Sequence, residues 1–141
     1  MKNLLIILGI ITSIGLTACT KKAPATPIID DMDSTAMVLY SGRFMNGPYG
    51  VTMGTARMEE VNGKWQLRLD SFTVSNGPDL KVYLAREQQP VNFISLGSLR
   101  STSGSQVYAV NGMPDLSSYK YALIHCEKYN HLFGWALLEM K

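Results

Sequence analysis

From Val38 onward, apolar and polar residues alternate in short runs separated by Gly, Pro, Asn and Asp. Trp65, Leu67 and Leu69 alternate with Lys64, Gln66, Arg68 and Asp70, and Leu80, Val82 and Leu84 alternate with Lys81 and Tyr83. Side chains on successive residues of a β-strand point to opposite faces, so each run predicts a strand with one buried face and one wet face. Val61-Asn62-Gly63-Lys64 sets Asn-Gly between two such runs. Asn-Gly suits a type I′ hairpin, where both central residues need positive φ. Further strands are expected near 38–45, 51–60, 92–96, 105–110, 119–126 and 132–140. The last two, Tyr119 to Cys126 and Leu132 to Met140, are apolar on both faces, as central strands are. Pro114-Asp115-Leu116-Ser117-Ser118 predicts a single helical turn. No segment carries a sustained helical stripe. The pattern predicts an all-β fold: a single antiparallel β-sandwich or flattened barrel of about eight short strands.

The first residues follow a different logic. Met1-Lys2-Asn3 is a short basic start, and Leu4 to Leu16 is mostly apolar. At 1.5 Å per residue that run spans about 20 Å, short of a hydrocarbon core of roughly 30 Å. It fits the core of a secretory signal peptide. The run ends in Leu16-Thr17-Ala18-Cys19, which resembles the bacterial lipobox. That resemblance implies cleavage before Cys19 and acylation of Cys19, which becomes the first residue of the mature chain. It places the protein in the bacterial cell envelope, facing the periplasm, with the membrane as a partner through the lipid. Thr20 stands where an aspartate is tied to inner-membrane retention in some bacteria, which favours the outer membrane. Residues 1–18 are thus read as signal peptide, 19–37 as lipidated Cys19 and an extended, exposed tether, and 38–141 as the folded domain. The Pro-containing segment Thr20 to Met37 holds no aromatic residue, whereas every aromatic lies between Tyr40 and Trp135.

Composition narrows the function classes. The chain has 141 residues, a formal net charge of +2 and two cysteines. A near-neutral chain is not a nucleic-acid binder, because phosphate contacts need clustered Lys and Arg. Two cysteines make neither a disulfide-dense scaffold nor a four-thiolate zinc site. Hydrophobic content of 46% is that of a folded chain.

If Cys19 carries lipid, Cys126 is a lone thiol in an exported protein, and an odd cysteine there calls for an explanation. Two readings stand side by side. Cys126 is a redox thiol or a thiolate ligand to a prosthetic group, or it is a small buried hydrophobe. Glu127 opposes a thiolate; Lys128, read on the same strand face, favours one. His125 precedes Cys126, so on a strand the two point to opposite faces and form no dyad. His131 follows the turn Lys128-Tyr129-Asn130 and is placed to fold back. Cys126, His131 and Met140 follow the order of a blue-copper site, but the second imidazole is then His125, on the wrong face. Covalent c-type haem is excluded, since no Cys-x-x-Cys-His exists. Non-covalent haem with Cys126 as axial ligand demands a large apolar pocket. No phosphate loop, nucleophile elbow or acid–base pair is present, so no catalytic residue is assigned. Asn76-Gly77-Pro78-Asp79 is a rigid turn into the next strand, with Asp79 expected to accept backbone hydrogen bonds. It is read either as a turn that only defines the fold or as a loop beside Cys126.

These segments together resemble the Skeletor-type electron-transfer domain, also called the DM-thirteen domain. The matching pieces are Ser41-Gly42-Arg43-Phe44, Gly54-Thr55-Ala56, Asp70-Ser71-Phe72 and Asn76-Gly77-Pro78-Asp79-Leu80-Lys81-Val82-Tyr83-Leu84. Leu96-Gly97-Ser98-Leu99, Gly104-Ser105-Gln106-Val107-Tyr108, Tyr119, Ile124-His125-Cys126 and Phe133-Gly134-Trp135-Ala136-Leu137 follow in order. The resemblance covers residues 39–139. It implies a β-rich domain with Cys126 as a redox thiol or a ligand to a group such as haem, and a redox partner or ligand of unknown identity. The alternative is a non-catalytic binding or scaffold lipoprotein with Cys126 in its core. One departure stands out. Many members carry a histidine about four residues before the glycine matched by Gly54; this chain has Tyr49-Gly50-Val51 there.

Overall fold

The computed structural model describes residues 22–141. Residues 1–18, expected to be a signal peptide, and Cys19 lie outside the described residues. Ten strands follow one another: β1 (Ile28–Ile29), β2 (Met37–Asn46), β3 (Thr52–Val61), β4 (Lys64–Val74), β5 (Leu80–Ala85), β6 (Phe93–Ser98), β7 (Ser103–Val110), β8 (Tyr121–Cys126), β9 (His131–Leu137) and β10 (Glu139–Met140). All eight expected strands are present. Asn62 and Gly63 both have positive φ (51° and 74°), as the hairpin between β3 and β4 requires. The Pro114–Ser118 segment makes one hydrogen-bonded turn, with the Asp115 carbonyl accepting from Ser118 and Tyr119 N–H.

The strands form one sheet in the order β1-β7-β4-β3-β2-β9-β8-β5-β6, with β10 on β2. The sheet curls into a half-barrel, so the barrel form of the expectation holds. β2 makes the corner. Its first part pairs with β3 through Arg43↔Thr55, and Phe44 to Asn46 pair with β9. Strands β8 and β9 are paired on both sides, as their two apolar faces predict. Inside the curl lies the main core, with Ala56, Met58, Leu67, Leu69, Phe72, Val82, Leu84, Ile124 and Ala136 fully buried. A smaller cluster of Tyr83, Ala85 and Leu123 packs on the outer face, with Tyr121, Leu132 and Trp135 against it. Tyr83, expected on a wet face, is therefore buried. Its ring stacks on Phe93 at 4.1 Å.

The segment read as an exposed tether is extended but docked. Ala23 is buried. The Pro24 carbonyl accepts from Thr102 N–H at 2.9 Å, and the Thr26 carbonyl accepts from the Ser101 hydroxyl. β1 then pairs parallel with β7, and Asp30 N–H donates to the Ser105 carbonyl. The physical reason is the open edge of β7, whose main-chain groups need partners that the segment supplies. Close approach depends on Gly104, which has φ +101°; a Cβ there would run into the Ile28 carbonyl. The wet face expected on β4 fails at Arg68 for the same reason. Arg68 is 2% exposed because its guanidinium donates to the Asp30 and Asp31 carbonyls and pairs with buried Glu59. Asp30 also binds the exposed Arg100, whose hydrogen bond holds the Asp30 carboxyl below its usual range.

One end of the curl is tied together all the way round. Pro24 bonds to Thr102, and Thr102 to Val74. Val74 lies opposite Thr52, whose N–H donates to the Asn46 side chain. Asn46 lies opposite Gly134, His131 opposite Cys126, and Cys126 opposite Leu80. Leu80 accepts from Leu99 N–H, and Leu99 leads back to Thr102. The loops 46–51, 75–79 and 127–130 therefore share this end with the docked start of the chain.

Candidate functional site

Cys126 is the last residue of β8 and has no exposed surface. Among the described residues it is the free cysteine. Its side chain belongs to the main core. The chain turns immediately after it, and Glu127 to Asn130 are all exposed. The thiol thus sits one residue behind a surface turn.

Asn76-Gly77-Pro78-Asp79 comes to the same place. Leu80, the first residue of β5, lies opposite Cys126. The Asp79 carbonyl accepts from Glu127 N–H at 3.0 Å, which locks the two turns together. Gly77 is buried; a Cβ there would lie 2.8 Å from Leu80 and 2.9 Å from the Phe133 ring. The turn is therefore a loop beside the thiol. Asp79 works differently from expectation. Its main-chain oxygen makes the turn contact, while its carboxylate lies 3.0 Å from Lys81 Nζ.

The histidines separate by face. His125 lies on the outer face, where Nε2 donates to the Asn130 side-chain oxygen at 3.0 Å. Burial lowers its pKa, so the ring is neutral near pH 7, and the Asn130 bond opposes that shift only in part. With Tyr83, Pro90, Phe93, Glu127 and Asn130 it lines a pocket of about 210 Å³. The Tyr83 hydroxyl there donates to Glu127 at 3.2 Å, and burial raises its pKa well above the usual value. His131 begins β9 directly opposite Cys126. Its ring stacks on Tyr49, with centroids 3.6 Å apart and planes within 2°. Lys128 is in the exposed turn rather than on the strand, and its ammonium lies over the Tyr129 ring.

A prosthetic group on Cys126 does not fit this packing. The sulfur faces a filled core and has no exposed surface, whereas an axial ligand needs an open face toward the iron. The copper order also fails to assemble. His125 lies on the outer face, and Met140 is 76% exposed on β10, opposite Tyr40. Among the described residues no group of three His, Cys, Asp or Glu side chains is arranged to hold a metal ion. The departure at Tyr49-Gly50-Val51 has a steric counterpart. A Cβ at Gly50 would lie 2.6 Å from the Phe133 ring, so a side chain at that position requires the ring to shift.

The Tyr49–His131 stack was not legible in the sequence, because its partners are distant in the chain and only strand register joins them. The buried Glu59–Arg68 pair was equally hidden. Both residues sit at polar positions of strands that read as solvent-facing.

A family model described as Electron transfer DM13 matches residues 44–138, from within β2 to just past β9. No curated protein and no solved structure matches the chain.

Proposed function

From the premise that this chain belongs to the DM13 electron-transfer family, we propose that Cys126 is its redox thiol, and that the domain is held to a membrane of the cell envelope by lipid on Cys19. The observation that carries the reading is the place of Cys126. It is a free thiol, fully buried, at the last position of β8, where the next residue in the chain begins the exposed Glu127–Asn130 turn. Opening that turn requires release of the Glu127–Asp79 hydrogen bond and of the last register pairs of β8. Such local openings need far less free energy than global unfolding. The thiol is thus shielded at rest and admitted to a partner by a small movement. Sequestering it also limits stray oxidation, which tracks exposure and thiolate character. His131 across the strand and its Tyr49 cover border the same opening.

A second reading rests on the same burial: Cys126 is core filler in a binding or scaffold lipoprotein. Thiol-reagent kinetics separate the two. Under native conditions, a disulfide reagent is expected to modify Cys126 much more slowly than an unfolded thiol, at a rate nearly independent of low urea. That is the signature of local opening. A rate that climbs steeply with urea and follows global unfolding assigns Cys126 to the core instead.

A further inference from the structure

We infer that the Cys126 end of the half-barrel rests on the lipid bilayer, with Tyr49, Val51 and Tyr129 at the headgroup level. The inference relies on the proposed lipidation of Cys19. Only four residue steps separate Cys19 from Ala23, which is buried in the domain. Fully extended, four steps reach about 14 Å. The headgroup region itself takes up about 5–7 Å of that. The lipid therefore does not hold the domain on a long stalk; it holds Ala23 and Pro24 against the surface.

Pro24 belongs to the ring of hydrogen bonds that closes the Cys126 end. Whatever presses Pro24 to the membrane turns the loops 46–51, 75–79 and 127–130 toward it. The hairpin at Asn62-Gly63 and the loop before β8 lie at the other end of the strands.

The composition of the near end suits an interface. Tyr49 (55%), Val51 (56%) and Tyr129 (54%) are exposed. Each is an apolar body outside the core, and tyrosine is favoured at the membrane–water boundary. Lys22 is exposed next to Ala23, and Lys128 is exposed beside Tyr129. Both cations suit the anionic headgroups of a bilayer surface. The turn that uncovers Cys126 then opens at the membrane, so its redox exchange takes place at the bilayer surface.

Hydrogen–deuterium exchange by mass spectrometry tests this on the full chain, lipidated in cells. The chain is reconstituted in vesicles of phosphatidylethanolamine with a minority of phosphatidylglycerol and compared with the soluble Cys19→Ser chain. Exchange in peptides covering 46–51, 75–79 and 127–131 is expected to slow several-fold on vesicles, with 61–64 and 111–118 unchanged. Tyr49→Ser with Tyr129→Ser should abolish most of that protection while intact mass still shows the lipid. Uniform exchange, or protection at the hairpin end, in a chain whose mass carries the lipid overturns the docking and leaves the anchor standing. A chain without lipid on Cys19 overturns both. Protection of the same loops in the Cys19→Ser chain that grows with protein concentration, without vesicles, makes the end a contact between copies and overturns the inference.

Discussion

Arg68→Ala is expected to lower the unfolding free energy by about 3–5 kcal/mol, the range for breaking a buried ion pair from one side. Arg68 and Glu59 are 2% and 1% exposed, with Nε 3.2 Å from the carboxylate. Gln66 donates to the same carboxylate at 2.9 Å. Removing the guanidinium leaves the Glu59 carboxyl buried without its cationic partner. It also removes the donors to the Asp30 and Asp31 carbonyls, at 3.1 and 2.8 Å. Two effects therefore follow from one change. The domain loses stability, and the stretch at Asp30 and Asp31 loosens while the backbone pairing of Pro24 and β1 stays in place. Urea unfolding reads the first, and limited proteolysis between β1 and β2 reads the second. Arg68→Met combined with Glu59→Leu should recover much of the stability, because the pair's attraction is largely offset by its desolvation. The double variant should not restore the hold on Asp30 and Asp31, since Met donates no hydrogen bond. Equal stability of the single variant and the wild type would mean that the pair is hydrated in solution.

Gly42→Val is expected to be as damaging by a different route. Gly42 precedes the corner where β2 leaves β3 for β9. A Cβ there would collide with the main-chain carbonyl of Leu137. Glycine inside a strand often marks such a close backbone approach. A side-chain clash can relax by a rotamer change, but this one meets backbone. Overpacking typically costs about 1–3 kcal/mol, occasionally more, and a backbone obstacle belongs at or above the top of that range. The change should also splay β2 from β9. Loss of protection at Phe44 to Asn46 in hydrogen exchange, alongside a lower urea midpoint, is the expected pair of results. Gly63→Ala is the contrasting variant, since nothing lies within 4 Å of its Cβ and only its positive φ resists the change.

Much of the architecture was legible because strand alternation reports burial directly. Leu67 and Leu69 point inward as their spacing requires, and Asn62-Gly63 turns as its φ angles demand. The reading failed where a third element changed the environment of a face. Arg68 occupies a solvent-facing position in the period of β4, and only the docked Asp30 and Asp31 carbonyls bury it. Tyr83 is similar: β5 has a second apolar layer because Phe93 and Leu123 reach its outer face. The Pro-containing segment reads as exposed because it is rich in Ala, Pro and Thr and holds no aromatic residue. Its docking is carried mainly by backbone hydrogen bonds, which composition does not display. At the site, strand register sets Leu80 opposite Cys126 and so brings the Gly77-Pro78-Asp79 turn beside it, a long-range pairing with no local signal. The stack of His131 on Tyr49 is a tertiary event with no local signal. The proposed lipid anchor on Cys19 rests on the sequence.

Cys126 is the centre of the account, and the most direct measurement follows its oxidation state in the native full chain. The purified protein is stepped through oxidising and reducing thiol–disulfide buffers, with intact mass and peptide mapping at each step. The account predicts reversible oxidation confined to Cys126, as a mixed disulfide with the buffer thiol that reductant removes. Cys126→Ser, with its fold verified by circular dichroism, should show no such change. A Cys126 mass that stays constant until the chain unfolds, or reversible redox chemistry that persists in Cys126→Ser, would contradict it.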